Sequence, residues 1–473
     1  MTHSMEALYQ KRMERYTTAM RNERPDQVPI RPFVAEFVAK YTGLSNADVT
    51  LDYELTFEAT RKCAREFDWD ATVGNLIWNW AGFIKTATWN SFAFPGIELE
   101  IDGAAQYKEP SEENAYMRAD EYDQLIDDPT GFLFNVWLPR FTDHVQPPGG
   151  AVTLQHNLAL LNGGLSLMTY NNANAKQAQL LRTECGTVPA ISGLLKAPLD
   201  ILSDKLRGYI GLSYDLIEQP DKVLQACEAL MPHLLTFALA GADPNKQVPI
   251  TIWMHRGCVP FVAPDHFKNI YWPTLRPIVE EIWSRGHQVL FYAEGNWDAH
   301  LESFAELPER SIVYHVDRGN IFRAHKILGE KFCLSGGIPN DLLTFANPAQ
   351  VREYCKKVIH EAARDGGYIM DAAGIIQDDA KIENVQAMTD AAREYGIYSQ
   401  TTNSTPKSQR PPFTMGQSVF EREGQKRRPG VCIPWDEKKN DFPTIKGDES
   451  KVRKMWESQD ALGYYFIWQC FMW

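Results

Sequence analysis

The 473-residue chain has no excess of basic residues, no long hydrophobic run and no cysteine pattern, and each absence removes a class of function. With 48 Lys and Arg against 61 Asp and Glu, the net charge is −13, so the basic face that nucleic acid requires is lacking. An anionic membrane surface is disfavoured for the same reason. No apolar run is long enough to span a bilayer; the nearest, the closing decamer YYFIWQCFMW, is about half the length required. Residues 1–50 are charged and broken by prolines, unlike a signal peptide. Eight cysteines form no CxxC and no regular spacing, which reads as reduced thiols in a cytoplasmic protein. GxGxxG after a strand, the P-loop and GxSxG are also absent, so dinucleotide, phosphate-cradle and serine-hydrolase readings have no support.

What is present is a globular composition, 44% hydrophobic and 23% charged, and a regular alternation in the second half. Short apolar runs end at His255 (VPITIWM), before Glu294 (Val289–Tyr292) and before His315 and Asp317 (Ile312–Tyr314); two more lie at 332–337 and 367–374. Each is too short for a helix and reads as a buried parallel strand. Helical stretches separate them: Pro220–Ala240, a helix opened by Pro273 with Leu275, Ile278, Val279 and Ile282 on one face, 321–328, one opened by Asn347 and Pro348, and 380–395. Asp298 is placed to cap a short helix carrying Leu301, Phe304 and Leu307. Four or more strand–helix repeats point to a (β/α) barrel rather than a sandwich or bundle.

The first half is less regular. A helix over 5–24 leads to a proline-interrupted strand, Val28–Val34, and residues 73–83 are dense in tryptophan. A core or a subunit interface is the simpler reason for that density; Trp78 and Trp80 as a pocket wall is the other. Residues from about 95 to 186 read as an excursion with a small β element, then helices flanking a glycine turn at LNGGLS. Past residue 400 the periodicity fails, and 401–473 reads as an extension packed on the barrel or on a second subunit of a homo-oligomer, with its aromatic decamer buried.

Taking the polar residue at each strand end gives His255 with Arg256, Glu294, His315 with Asp317, Ser335 and Asp371. On successive strands of a barrel these positions converge on one cavity. Glu294 and His315 offer the oxygen and nitrogen donors that zinc accepts, although the same pair could brace the barrel rim by a hydrogen bond. Asp298, His300 and Ser303 fall one glycine short of the DxHxxG run of cobalamin-binding modules.

RPDQVPI near the start, RGYIGLSYDLIEQPDKVLQAC (207–227), VLFYAEGN, KILGEKFCLSGGIP (326–339) and GGYIMDAAGI followed by ENVQAMTDAAREYG resemble the uroporphyrinogen decarboxylase superfamily over roughly residues 10–400. The resemblance implies an α/β fold, a TIM (β/α)8 barrel over residues 1–400, here with an N-terminal region, the insertion and the C-terminal extension. The superfamily holds tetrapyrrole decarboxylases and corrinoid-dependent methyltransferases. Tyr292 and Glu294 stand where its thiol-directed methyltransferases carry an HxC zinc pair, and Ala373 stands at their later cysteine. WMHRG, AEGNWDAHLE and YHVDRGNI look instead like the methyltransferases of O-demethylase systems, whose zinc is held by Glu and His. That branch implies zinc on Glu294 and His315, with the third ligand open between His255 and the helical Glu280 and Glu281. It further implies catalytic roles for Asp317, His255 and Asp371, a binding wall of Trp78, Trp80, Trp253 and Arg256, a small methyl donor, and a separate corrinoid protein as partner. A metal-free decarboxylase-type lyase, a corrinoid methyltransferase with another donor, and a non-catalytic barrel are the rival readings.

Overall fold

In the computed structural model, which describes residues 2–75, 81–398, 420, 426–442 and 444–472, a six-stranded parallel sheet organises the chain. Its strands are β1 (Leu194–Lys196), β2 (Ile250–Met254), β3 (Val289–Ala293), β4 (Ile312–Val316), β5 (Cys333–Gly336) and β6 (Tyr368–Ile369), neighbours in the sheet in the order they occur in the chain. β2 to β5 are buried along their whole length, as apolar runs covered on both faces must be. Helices occupy the connections: Pro220–Ala240 before β2, Trp272–Ser284 before β3, Ile321–Leu328 before β5 and Pro348–Ala362 before β6. Local chemistry sets their starts. Asn347 and Gln350 form a reciprocal capping box ahead of Pro348, and the Asn320 side chain accepts from the amides of Phe322 and Arg323.

The regular ladder stops at β1 and β6, and irregular pairings continue from both edges. Met370 N donates to Pro29 O and Arg31 N to Met370 O, with parallel bridges at Ile30–Met370 and Val34–Ile376. Asp70 and Ala71 both donate to Ile30 O, and Ala71–Thr72 pairs in parallel with Val188–Pro189. In the excursion, Phe92–Ala93 and Gln106–Tyr107 form a small antiparallel pair.

Two elements differ from the sequence reading. LNGGLS makes no turn: Leu154–Leu180 is one 27-residue helix, started by a capping box between Thr153 and His156. Gly163 faces Ala87, whose methyl would stand 3.4 Å from a Cβ there, an ordinary packing contact. The second difference is the length of β4, which runs two residues past Tyr314 and so takes in His315. Near the chain end, the helix Glu449–Met472 buries Tyr464, Ile467, Trp468, Phe471 and Met472 against the core. Trp468 stacks on His233 at 4.8 Å and donates to Thr130 Oγ1, while Phe471 meets Trp137 edge-on. One helix among the described residues, Pro220–Ala240, is long and apolar enough to cross a bilayer, and most of it lies in the core.

Candidate active site at the carboxyl ends of the strands

Parallel register sorts the polar residues of the sheet into two rows. Trp253 pairs with Tyr292, Tyr292 with His315, and His315 with Ser335, so these four residues lie side by side across β2 to β5. Two residues further along each chain come His255, Glu294, Asp317 and Gly337. Side chains alternate along a strand, so the two rows share a face and are separated by about 6.6 Å of strand rise.

The outer row opens on a cavity of about 980 Å³ lined by His255, Arg256, Glu294, Asp317, Arg318 and Asn340, among others. His255 Nδ1 lies 2.9 Å from Asp204 Oδ2, and its Nε2 faces Glu294 Oε2 at 3.4 Å without the alignment of a hydrogen bond. Burial opposes charge on Asp204, but Lys196 at 2.5 Å and His255 together hold its carboxyl well below the usual range. An ionised Asp204 accepts from Nδ1 and so holds the ring with Nε2 turned towards Glu294. Asp317 accepts from Gly295 N at 2.7 Å; burial, together with the nearby Glu294 charge, pushes its carboxyl up despite that bond. Asp200 supports this row from behind. Fully buried, it accepts from the amides of His255 and Arg256 at 3.1 and 2.8 Å and from the Tyr271 hydroxyl at 3.0 Å, so it holds the turn after β2 in place.

The inner row is closed. His315 has no exposed surface; its Nε2 donates to Ala373 O at 2.8 Å, and its Nδ1 lies 3.1 Å from Ser335 Oγ and 3.4 Å from Arg31 Nη2. The ring stacks on Tyr292 at 4.4 Å. Burial and then the Arg31 charge drive its pKa down to about 3, so the imidazole is neutral. Arg31 also reaches Ser335 and Asp371, at 3.0 and 3.1 Å. Burial raises the Asp371 carboxyl to about 7, against the pull of Arg31 and of backbone amides. Gly336, at φ +76°, makes room for this arrangement: a Cβ there would meet His315 Cε1 at 2.7 Å.

The predicted site residues therefore divide. His255, Arg256, Glu294 and Asp317 share the cavity, while His315, Asp371, Ser335 and Trp253 lie beneath it. Trp253 packs on Tyr292 at 4.3 Å and is buried, so the aromatic side chains lining the cavity are Phe261 and Tyr354. Trp78 and Trp80 lie outside the described residues. Glu294 and His315 are not brought together as a metal pair. The register neighbour of Glu294 is Asp317, and both nitrogens of His315 are already engaged in the protein interior, leaving no lone pair for a cation. Glu280 pairs with Arg276 and Glu281 with Arg285, each along its own helix. Among the described residues no three His, Cys, Asp or Glu side chains are grouped as a metal site. A zinc centre on Glu294 and His315 does not fit this arrangement. Sequence reasoning missed Lys196, Asp200, Asp204 and Arg31. Their signal was there: carboxylates four residues apart in the apolar run PLDILSDKL, and one arginine between prolines in VPIRPFV.

No curated protein matches the chain. Among solved structures, a methyltransferase from Methanosarcina mazei shares the fold, with a TM-score of 0.55 at 15% identity over 81% of this chain and 98% of that one. The stretch that carries β1 to β6 and both rows, within residues 172–395, matches the family model of uroporphyrinogen decarboxylase (URO-D).

Proposed function

We propose that the cavity is the active site of a methyltransferase that removes a methyl group from a methyl ether, a methoxylated aromatic, and delivers it to Co(I) of a separate corrinoid protein. The observation that carries this reading is the convergence of His255, Glu294 and Asp317, from three adjacent strands, on one open cavity. An alkoxide or phenoxide leaves poorly, so the ether oxygen must gain a proton as its methyl carbon is attacked. His255 Nε2, with Asp204 behind Nδ1, is placed to give that proton, and Asp317 or Glu294 to restore it. Phe261 and Tyr354 offer apolar walls for the ring. Because the Glu294–His315 ligand pair does not fit, no step here runs through zinc. Co(I) is the nucleophile supplied by the partner, and the chain's own residues position the ether and manage its proton.

Closure of the sheet into an eight-stranded barrel belongs to the same proposal, supported by the parallel bridge of Ile30 with Met370 and by the bonds from Asp70 N to Ile30 O and from Ala190 N to Thr72 O. So does a cytoplasmic location, in keeping with eight cysteines that form no disulfide. The test is methyl transfer to a reduced corrinoid protein from a panel of methoxylated aromatics, quaternary amines and thioethers. Methylation by the aromatic ethers, abolished in His255→Ala, is the expected result. Carbon dioxide release from a tetrapyrrole without any corrinoid would overturn it in favour of the decarboxylase-type lyase.

A further inference from the structure

The helix Leu154–Leu180 is apolar on two faces, and only one of them is used. Ala159, Gly163, Leu167 and Tyr170 are buried against the rest of the chain. On the other side Leu154, Leu158, Leu161, Leu165 and Met168 are exposed, Leu154 at 74% and Met168 at 64%. Their spacing of four, three, four and three residues is a heptad seam, the pattern by which one helix packs along another. It runs for about 21 Å at 1.5 Å per residue and gives way at the next seam position to Asn172.

We propose that this seam is the contact between two copies of the chain, packed helix to helix across a two-fold axis. Charge selects this occupant. Lys176 is the only charged residue in the 27-residue helix, so two seams meet without like-charge repulsion even though each chain carries −13. A bilayer-surface helix would flank its apolar face with Lys and Arg, which this helix lacks. A charged hetero-partner would find nothing on the face to steer or orient it. The final helix lies alongside: Phe466 stands beneath Gly164, and the amides of Asn171 and Gln469 bond to each other. Leu462, one turn before Phe466, is 63% exposed and widens the apolar surface. A seam of five side chains falls short of the roughly 800 Å² per partner of a standard interface, so the association is weak and depends on concentration.

Sedimentation of the full chain from 1 to 100 µM tests the proposal. Wild type is expected to shift with concentration towards twice the 53.9 kDa chain mass, and Leu158→Glu/Leu165→Glu to remain monomeric with an unchanged circular dichroism spectrum and melting temperature. As a second measurement, Leu161→Cys is expected to give a disulfide-linked dimer on mild oxidation that wild type does not give. A wild type monomeric at 100 µM, a double variant that still dimerises, or a wild type that floats with neutral phosphatidylcholine vesicles overturns it. None of these readouts depends on methyl transfer.

Discussion

The row Trp253–Tyr292–His315–Ser335 and the row His255–Glu294–Asp317 hold similar side chains on the same strands, two residues apart, and treat them in opposite ways. In the inner row His315 and Ser335 meet protein partners, the side chains are buried, and His315 is kept neutral. In the outer row His255 has one nitrogen anchored on Asp204 and the other turned towards Glu294 in the cavity wall, without a hydrogen bond. The difference lies in burial and partners, since each row contains an imidazole. An imidazole whose two nitrogens are already bonded is architecture; one with a nitrogen facing a cavity is available for chemistry.

Substitutions in the two rows should separate activity from stability. His255→Ala is expected to lower kcat/KM for methyl transfer by about 10² to 10⁴, the usual span for a general acid, with the melting temperature within a few degrees of wild type. A fall in stability instead, with activity retained, would make the outer row structural. In the inner row, Asp371→Ala leaves Arg31 buried beside no carboxylate, and urea unfolding should show a loss of about 3–5 kcal/mol.

The pH dependence of stability sharpens the contrast. Because the folded pKa of His315 lies near 3 and its unfolded value near 6.5, the folded state binds fewer protons between those limits. Its contribution is complete above 6.5 and is lost as pH falls towards 3, with a slope of up to about 1.4 kcal/mol per pH unit. His315→Gln should flatten that part of the curve, followed by chemical denaturation from pH 7 to 4. The smallest effect belongs to the cavity rim, where Glu109 faces Arg256 at 3.3 Å with both side chains partly exposed. Glu109→Ala is expected to cost under about 1 kcal/mol, less in high salt.

Much of the sheet was legible in the chain because buried parallel strands leave a clear trace: ITIWM, VLFYA and the IVY of IVYHV are short, mainly apolar runs with a polar residue close behind. Their convergence on one edge followed from the alternation with helices. What the sequence could not reveal was where β4 ends. Reading the strand as closing at Tyr314 put His315 beside Glu294; extending it by two residues moves His315 one row inward, and register between strands is set by pairing rather than by composition. Asp200 and Asp204 were hidden for a related reason. They follow the three-residue strand β1, too short to stand out, and nothing in PLDILSDKL marks its two carboxylates as the ones the fold turns inward.

Gly336 shows why the closed row stays closed. A Cβ there would stand 2.7 Å from the His315 ring and equally 2.7 Å from the Val316 carbonyl oxygen, at a backbone φ of +76° that disfavours any side chain. Moving the imidazole aside would relieve only the first of these contacts, so the position is held to glycine by the main chain as well as by the ring it shelters.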